Sequence, residues 1–181
     1  MSAPVEIRAD FTVRLLDPLT EAELVHGWVT HPEAAFWLMR HATLTDTERE
    51  YMAIAASAHR DAYLGLHRGA PAFLMERYDP AYVDLVGLYE PLPGDVGMRL
   101  LTAPGLDRLP GFTPGALTAS LRALFADPAT ERVVVEPDLH DTAAHARNEA
   151  LGFRAEAIVQ KPEKEALLSF CTRARFASAA P

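Results

Sequence analysis

Asp138 stands directly after Pro137, at the end of the run Arg132-Val133-Val134-Val135-Glu136. A carboxylate just past a strand break, beside a desolvated cleft, can take the proton of an attacking amine, directly or through water. An aspartate that merely precedes a helix explains the same residue, and both readings stay open. Pro137 has no N–H and cannot continue a ladder beyond Glu136. It either ends an ordinary strand or forces neighbouring strands apart. Arg99, in Gly97-Met98-Arg99-Leu100-Leu101, stays protonated and cannot act as a base at neutral pH. Four readings are open: Asp138 works alone, Arg99 orients a substrate carboxylate, the nucleophile needs little deprotonation, as a hydroxylamine nitrogen would, or Arg99 is only a salt-bridge partner for Asp138. Glu76 is a candidate to hold a substrate ammonium, and Phe36-Trp37 to wall an acceptor pocket. Strand carboxylates are also commonly solvated, and adjacent aromatics commonly core.

A second segment has the chemistry of an anion site. Arg108-Leu109-Pro110-Gly111-Phe112-Thr113-Pro114-Gly115 leads into a helical pattern whose free N–H groups and positive dipole end could receive a pyrophosphate, with Arg108 adding charge. A capped helix after a surface loop accounts for the same residues. Cys171 is the single cysteine, so it cannot form an internal disulfide or build a zinc site alone, and the seven histidines are scattered. It reads as a buried structural thiol, which favours direct transfer over a covalent relay, and no metal is expected.

The elements that must position these groups follow from patterning. Phe11, Val13 and Leu15 alternate in a first strand ended by Asp17-Pro18. Thr20 caps a helix from Glu21 to about Val29, stopped by His31-Pro32, after which Pro32 restarts a short turn holding Phe36 to Met39. Thr45 and Glu48 have capping-box spacing for a helix reaching about His59. Tyr63 to His67 and Pro71 to Tyr78 flank Arg68-Gly69-Ala70 as a hairpin, and Asp84 to Tyr89 and Val96 to Ala103 read as further strands. A helix over 113–126 carries Pro114 at its first position and is followed by a strand over 132–136. A helix over 142–151, closed by Gly152, and two strands near 156–160 and 167–173 complete the pattern. Residues 1–176 are expected to form a single domain, with 177–181 as a flexible tail.

Composition bounds the function. The chain has 181 residues, 49% hydrophobic and 23% charged, which fits one globular domain. Its apolar runs stay far below the roughly 18 residues of a membrane helix, so no membrane role is expected. The lead from Met1 to Asp10, with Glu6, Arg8 and Asp10, lacks the pattern of a secretion signal, so a cytoplasmic protein is expected. A formal charge of −8 disfavours nucleic acid and suits a cationic or neutral small substrate. A monomer or small homo-oligomer is expected.

Glu131-Arg132-Val133-Val134-Val135-Glu136-Pro137-Asp138, followed by Thr142 to Ala150 and Leu151-Gly152-Phe153, resembles the fifth strand and fourth helix of the GNAT acyltransferases. That resemblance implies an α+β GNAT fold: a mixed, mainly antiparallel sheet with helices on both faces and a splayed central strand pair. It implies acetyl-CoA or another acyl-CoA as donor and a small-molecule amine or hydroxylamine as acceptor. Within the superfamily the chain is most similar to the siderophore-type (mycobactin and aerobactin) lysine or hydroxylysine acyltransferases. The similarity runs from Trp28 and Phe36-Trp37 through Glu76 and Glu136-Pro137-Asp138 to Lys164-Glu165-Ala166-Leu167.

Carried over residue by residue, the resemblance makes Asp138 the catalytic aspartate. It puts Arg99 where that branch has a histidine in a Gly-x-His-Leu-Leu setting. Leu100, Leu101, Arg108, Gly111, Phe112, Thr113, Pro114, Gly115, Asp141, His145 and Asn148 would face the cofactor, and Phe36, Trp37, Glu76 and Glu136 the acceptor. The phosphate loop departs from the family pattern, since Thr113 occupies its final small position. An aminoglycoside-type or other small-amine acetyltransferase and a non-catalytic acyl-CoA-binding module are the alternatives.

Overall fold

The computed structural model describes residues 10–180. The reading of the N-terminal lead therefore falls, apart from Asp10, outside the described residues.

The chain begins with β1 (Phe11–Leu15) and α1 (Pro18–Val29). Asp17, not Thr20, caps α1: its carboxylate accepts from the Leu19 N–H and the Thr20 hydroxyl, both at 3.0 Å, and Pro18 takes the first helical position. A 3₁₀ turn over Pro32–Trp37 follows, then α2 (Leu44–Ala55). The capping box of α2 is Thr43 with Asp46, two residues ahead of the expected pair, because the same Thr-to-acid spacing occurs twice and the earlier one starts the helix. In the hairpin of β2 (Arg60–His67) and β3 (Ala70–Tyr78), Arg68 and Gly69 take the left-handed backbone, with φ of 52° and 80°.

The segment 84–89 is turn rather than strand. Asp84 and Gly87 have φ of 58° and 77°, which a ladder does not accommodate, and only Leu85 is buried. Next come β4 (Asp95–Thr102), α3 (Phe112–Phe125), β5 (Arg132–Val135), α4 (Thr142–Ala150), β6 (Arg154–Gln160), β7 (Glu165–Thr172) and α5 (Arg173–Ala179). Pro114 is the third residue of α3, not the first. The expected flexible tail is helical as far as Ala179: Thr172 caps α5, and Phe176 stacks on Phe125.

The strands form a seven-stranded mixed sheet in the order β1-β2-β3-β4-β5-β7-β6. β4 and β5 are parallel and pair Asp95 with Arg132, Val96 with Val133 and Gly97 with Val134. On its other side β5 pairs antiparallel with β7 one residue further, to Val135 opposite Ser169. The Pro137 carbonyl then accepts from the Leu167 N–H at 3.0 Å. Pro137 thus ends β5 while its carbonyl stays in use, and β4 runs five residues past its last β5 partner, from Met98 to Thr102.

The chain divides into two compact units. One comprises 10–77 and Arg99–Ser120, with a core that includes Val25, Trp28, Trp37, Tyr51, Ile54, Leu64, Leu74 and Leu101. The other comprises Tyr78–Met98 and 121–180, with Tyr78, Leu85, Val134, Val159, Leu168 and Phe170 at its centre. In this second unit Gly97 leaves room for a ring: a Cβ there would lie 2.1 Å from Tyr78. Among the described residues no helix is long and apolar enough to cross a membrane.

Candidate active site

In the first unit, residues distant in sequence converge around Glu76. Glu76 on β3 is 4% exposed, and its Oε1 accepts from the Tyr51 hydroxyl at 2.9 Å. Tyr51 in turn accepts from the Trp37 indole N–H at 3.2 Å. Arg99 on β4 donates to Glu76 Oε2 and to the Trp37 carbonyl, both at 3.3 Å, and its guanidinium carbon sits 4.1 Å from the centre of the Trp37 ring. Arg60 approaches the same Oε2 at 3.8 Å and reaches Glu50 at 2.8 Å. Burial pushes the Glu76 carboxyl above its ordinary range, against the pull of Arg99 and Arg60. Burial likewise drives the Tyr51 hydroxyl well above its usual value.

Trp37 is therefore a buried platform for Arg99 rather than a wall facing an open pocket, and Phe36 beside it is 59% exposed. Arg99 finds a carboxylate partner in Glu76, within its own unit. Tyr51 and Arg60, which complete this network, carry no motif that marks them in the sequence.

At the start of α3 the donors for an anion are few. The Phe112 N–H goes to the Leu109 carbonyl at 3.1 Å, Pro114 has none, and the Gly115 N–H closes on Gly111 at 3.1 Å. That leaves the N–H groups of Gly111 and Thr113. Gly111 is exposed with φ of 74°. The side chains around it are largely committed. Phe112 is 2% exposed in a ring cluster with Phe11 and His67. Gly115 makes room for the Phe11 ring, and Arg108 pairs with Glu33. Leu101 belongs to the core and Leu100 is half-buried, so these two could serve a ligand only through their backbone.

In the second unit, Asp138 is exposed rather than desolvated. Its Oδ1 accepts from the His140 N–H at 2.8 Å, and its backbone bridges Ala166. Glu136 is 7% exposed and does not reach outward: Lys161 lies 3.0 Å from Oε1 and Lys164 3.0 Å from Oε2. Its expected place facing the acceptor is thereby taken by two ammonium groups. Asp141 caps α4 by accepting from the Ala144 N–H at 2.9 Å. His145 holds the Leu139 carbonyl through Nε2 at 2.9 Å. Asn148 is 8% exposed and, with His145 and Ser169, lines a cleft of about 790 Å³. Cys171 is buried, and burial pushes its thiol up to about 11, which suits a structural role.

The family model of the acetyltransferase (GNAT) domain matches residues 17–161. No curated protein matches the chain. An uncharacterised protein of Bacillus halodurans is 22% identical, with a TM-score of 0.85 over 93% of this chain and 87% of that one. The structure of AAC(6')-Ib in complex with ribostamycin and coenzyme A is 21% identical, with a TM-score of 0.83 over 95% of this chain and 98% of that one. A chimera of the spermidine N-acetyltransferase SpeG from Vibrio cholerae and hSSAT is 12% identical, with a TM-score of 0.74 over 93% and 98%. These likenesses show the fold, and the named enzymes among them act on aminoglycosides and spermidine rather than on siderophore precursors. Matched over most of its length by that family model, the chain belongs to the acetyltransferase (GNAT) family and is an acyl-CoA-dependent N-acyltransferase.

Proposed function

We propose that this enzyme moves an acetyl group from acetyl-CoA, by direct attack, to the amine or hydroxylamine nitrogen of a small acceptor of the lysine or ornithine type, which also carries a carboxylate. The observation that carries this reading is Arg99. A guanidinium has five N–H donors in a fixed fork suited to carboxylates. Arg99 commits one donor to Glu76 and one to the Trp37 carbonyl. Arg60, which also approaches Oε2, has its closer carboxylate in Glu50 at 2.8 Å, so Glu76 serves chiefly Arg99, and the remaining donors of the Arg99 fork are the ones a substrate carboxylate would meet. Arg99 also stands on the part of β4 beyond Gly97 that has no β5 partner, where the backbone N–H of Leu100 can polarise a thioester carbonyl.

Asp138 takes the proton of the attacking nitrogen. One of its oxygens is held by the His140 N–H, which aims the carboxylate and leaves the other oxygen as acceptor. Gly111 and Thr113 supply N–H groups for the pyrophosphate of the donor. Siderophore assembly, as the setting, rests on the resemblance around Glu136-Pro137-Asp138.

A second reading, an aminoglycoside or polyamine acceptor, is favoured by the likeness to AAC(6')-Ib and by the formal charge of −8. Turnover with acetyl-CoA on lysine, ornithine, their N-hydroxy derivatives, cadaverine, putrescine, spermidine and kanamycin separates the two. The carboxylate-bearing acceptors should exceed their decarboxylated counterparts by about tenfold or more in kcat/KM. The reverse order would establish the second reading.

A further inference from the structure

The second unit holds a buried ion cluster that the proposed chemistry does not use. Glu136, just past the end of β5, receives Lys161 and Lys164, one on each carboxylate oxygen and both at 3.0 Å, and Lys161 also lies 3.2 Å from Glu163. Lys161 is itself only 9% exposed. Burying a carboxylate and an ammonium is costly, and an apolar contact of similar size would fasten a turn at least as well.

What the cluster fastens is specific. Both lysines lie where the chain turns from β6 into β7, and the two residues after Glu136 are Pro137 and Asp138. The same turn grips that segment through the main chain. Leu167 donates to the Pro137 carbonyl at 3.0 Å, Asp138 bridges Ala166, and the Leu139 N–H reaches the Glu165 carbonyl at 2.9 Å. Asp138 is the exposed acid in the middle of this grip. Two ammonium groups face two carboxylates, so the cluster is neutral and acts on Asp138 through geometry rather than through a net field.

We infer that Lys161 and Lys164, acting through Glu136, are positioning residues that hold the Asp138 carboxylate in its proton-accepting pose. This rests on Asp138 being the base. Neither lysine touches substrate in this scheme. Their removal acts on the proton transfer and spares the binding of the donor.

The test is a mutant cycle on the full-length enzyme with acetyl-CoA and an accepted amine, using Lys161→Met, Lys164→Met, Lys161→Arg, Asp138→Asn and the Lys164→Met/Asp138→Asn double variant. Each methionine substitution should lower kcat by about tenfold or more while KM for acetyl-CoA stays within about twofold, and Lys161→Arg should recover most of the loss. In the double variant the lysine change should cost nothing beyond Asp138→Asn, because both act on one step. Losses that multiply in the double variant, or an unchanged kcat in Lys164→Met, would overturn the inference. Should Lys161→Met not fold, Lys164→Met, which keeps the Lys161–Glu136 pair, decides the matter alone. Full turnover in the single Asp138→Asn variant would instead remove the base assignment, an outcome distinct from failed positioning.

Discussion

The Arg99 guanidinium stacks on the Trp37 ring at 4.1 Å and donates to Glu76 at 3.3 Å, so β3, β4 and the turn before α2 meet at one fixed cation. Glu76 is held by the Tyr51 hydroxyl on its other oxygen, and Tyr51 is anchored by Trp37. Every member of this ring restrains another, so Arg99 is set in place by folding rather than by the acceptor.

Glu76 gives this network a pH signature. Burial raises its carboxyl above the unfolded-chain value, so the folded protein binds this proton more tightly than the unfolded chain does. Its contribution to stability is fully present below the unfolded pKa and is lost as pH rises towards the folded one. Glu76→Gln removes that loss. Urea unfolding from about pH 4 to about pH 7 should show the wild type declining relative to the variant. A difference that does not change with pH would contradict the assignment.

Arg99 also bears on the nucleophile. A permanently charged guanidinium cannot share the proton-accepting task that a histidine at this position could. Hydroxylamine-bearing acceptors, whose nitrogen is neutral near pH 7, should therefore exceed their parent amines, by about tenfold at matched saturation. Arg99→His should narrow that gap by raising turnover of the plain amine. Equal turnover of both acceptor types in the wild type would count against Arg99 as the cause.

Asp95 and Arg132 form the corresponding pair at the base of the β4–β5 ladder. Arg132 donates from Nε and Nη2 to the two carboxylate oxygens, both at 2.8 Å, and stacks on Phe170 at 4.1 Å. Burial alone would raise the Asp95 carboxyl, but bonds from Arg132, the Leu92 N–H and Tyr89 hold it below its usual range. Its stabilising effect is present above the unfolded pKa and is lost as pH falls through the folded one. Asp95→Asn should cost about 2–4 kcal/mol near pH 7, since it strands a partly buried guanidinium. The gap between the urea midpoints of the two proteins should shrink as pH falls below the ordinary carboxylate range, and a constant gap would refute the pairing energy.

Much of this was legible because local rules are strong where one residue type is required. The turn at Arg68-Gly69 needs left-handed backbone, and Gly152 after α4, with φ of 97°, shows the same demand. Helix starts were less legible: Thr43/Asp46 and Thr45/Glu48 satisfy one spacing, and only packing chooses between them. The alternation in 84–89 imitates a strand, yet the left-handed Asp84 and Gly87 turn the chain. Trp37, Glu76 and Arg99 stood out as separate candidates, but their convergence depends on β3 and β4 pairing across a long connection. No spacing rule encodes that. Lys161 is unmarked in the sequence for the same reason, since its partner Glu136 lies 25 residues away.

The start of α3 offers the sharpest test of donor binding. Only the N–H groups of Gly111 and Thr113 remain there for an anion, because the others in the first turn are spent or absent. Gly111 is exposed and adopts a φ of 74°, a region that Asn and Asp tolerate better than other side chains do. Gly111→Asn and Gly111→Asp therefore carry similar backbone strain and similar size, and they differ by one negative charge. If the pyrophosphate of coenzyme A sits at this turn, saturating coenzyme A should raise the melting temperature of the wild type by about 2–5 °C. Gly111→Asn should keep most of that rise. Gly111→Asp should lose it, with an unliganded melting temperature close to that of the Asn variant. A full coenzyme A shift in Gly111→Asp would move the phosphate site away from α3, and equal losses in both variants would assign the effect to shape rather than charge.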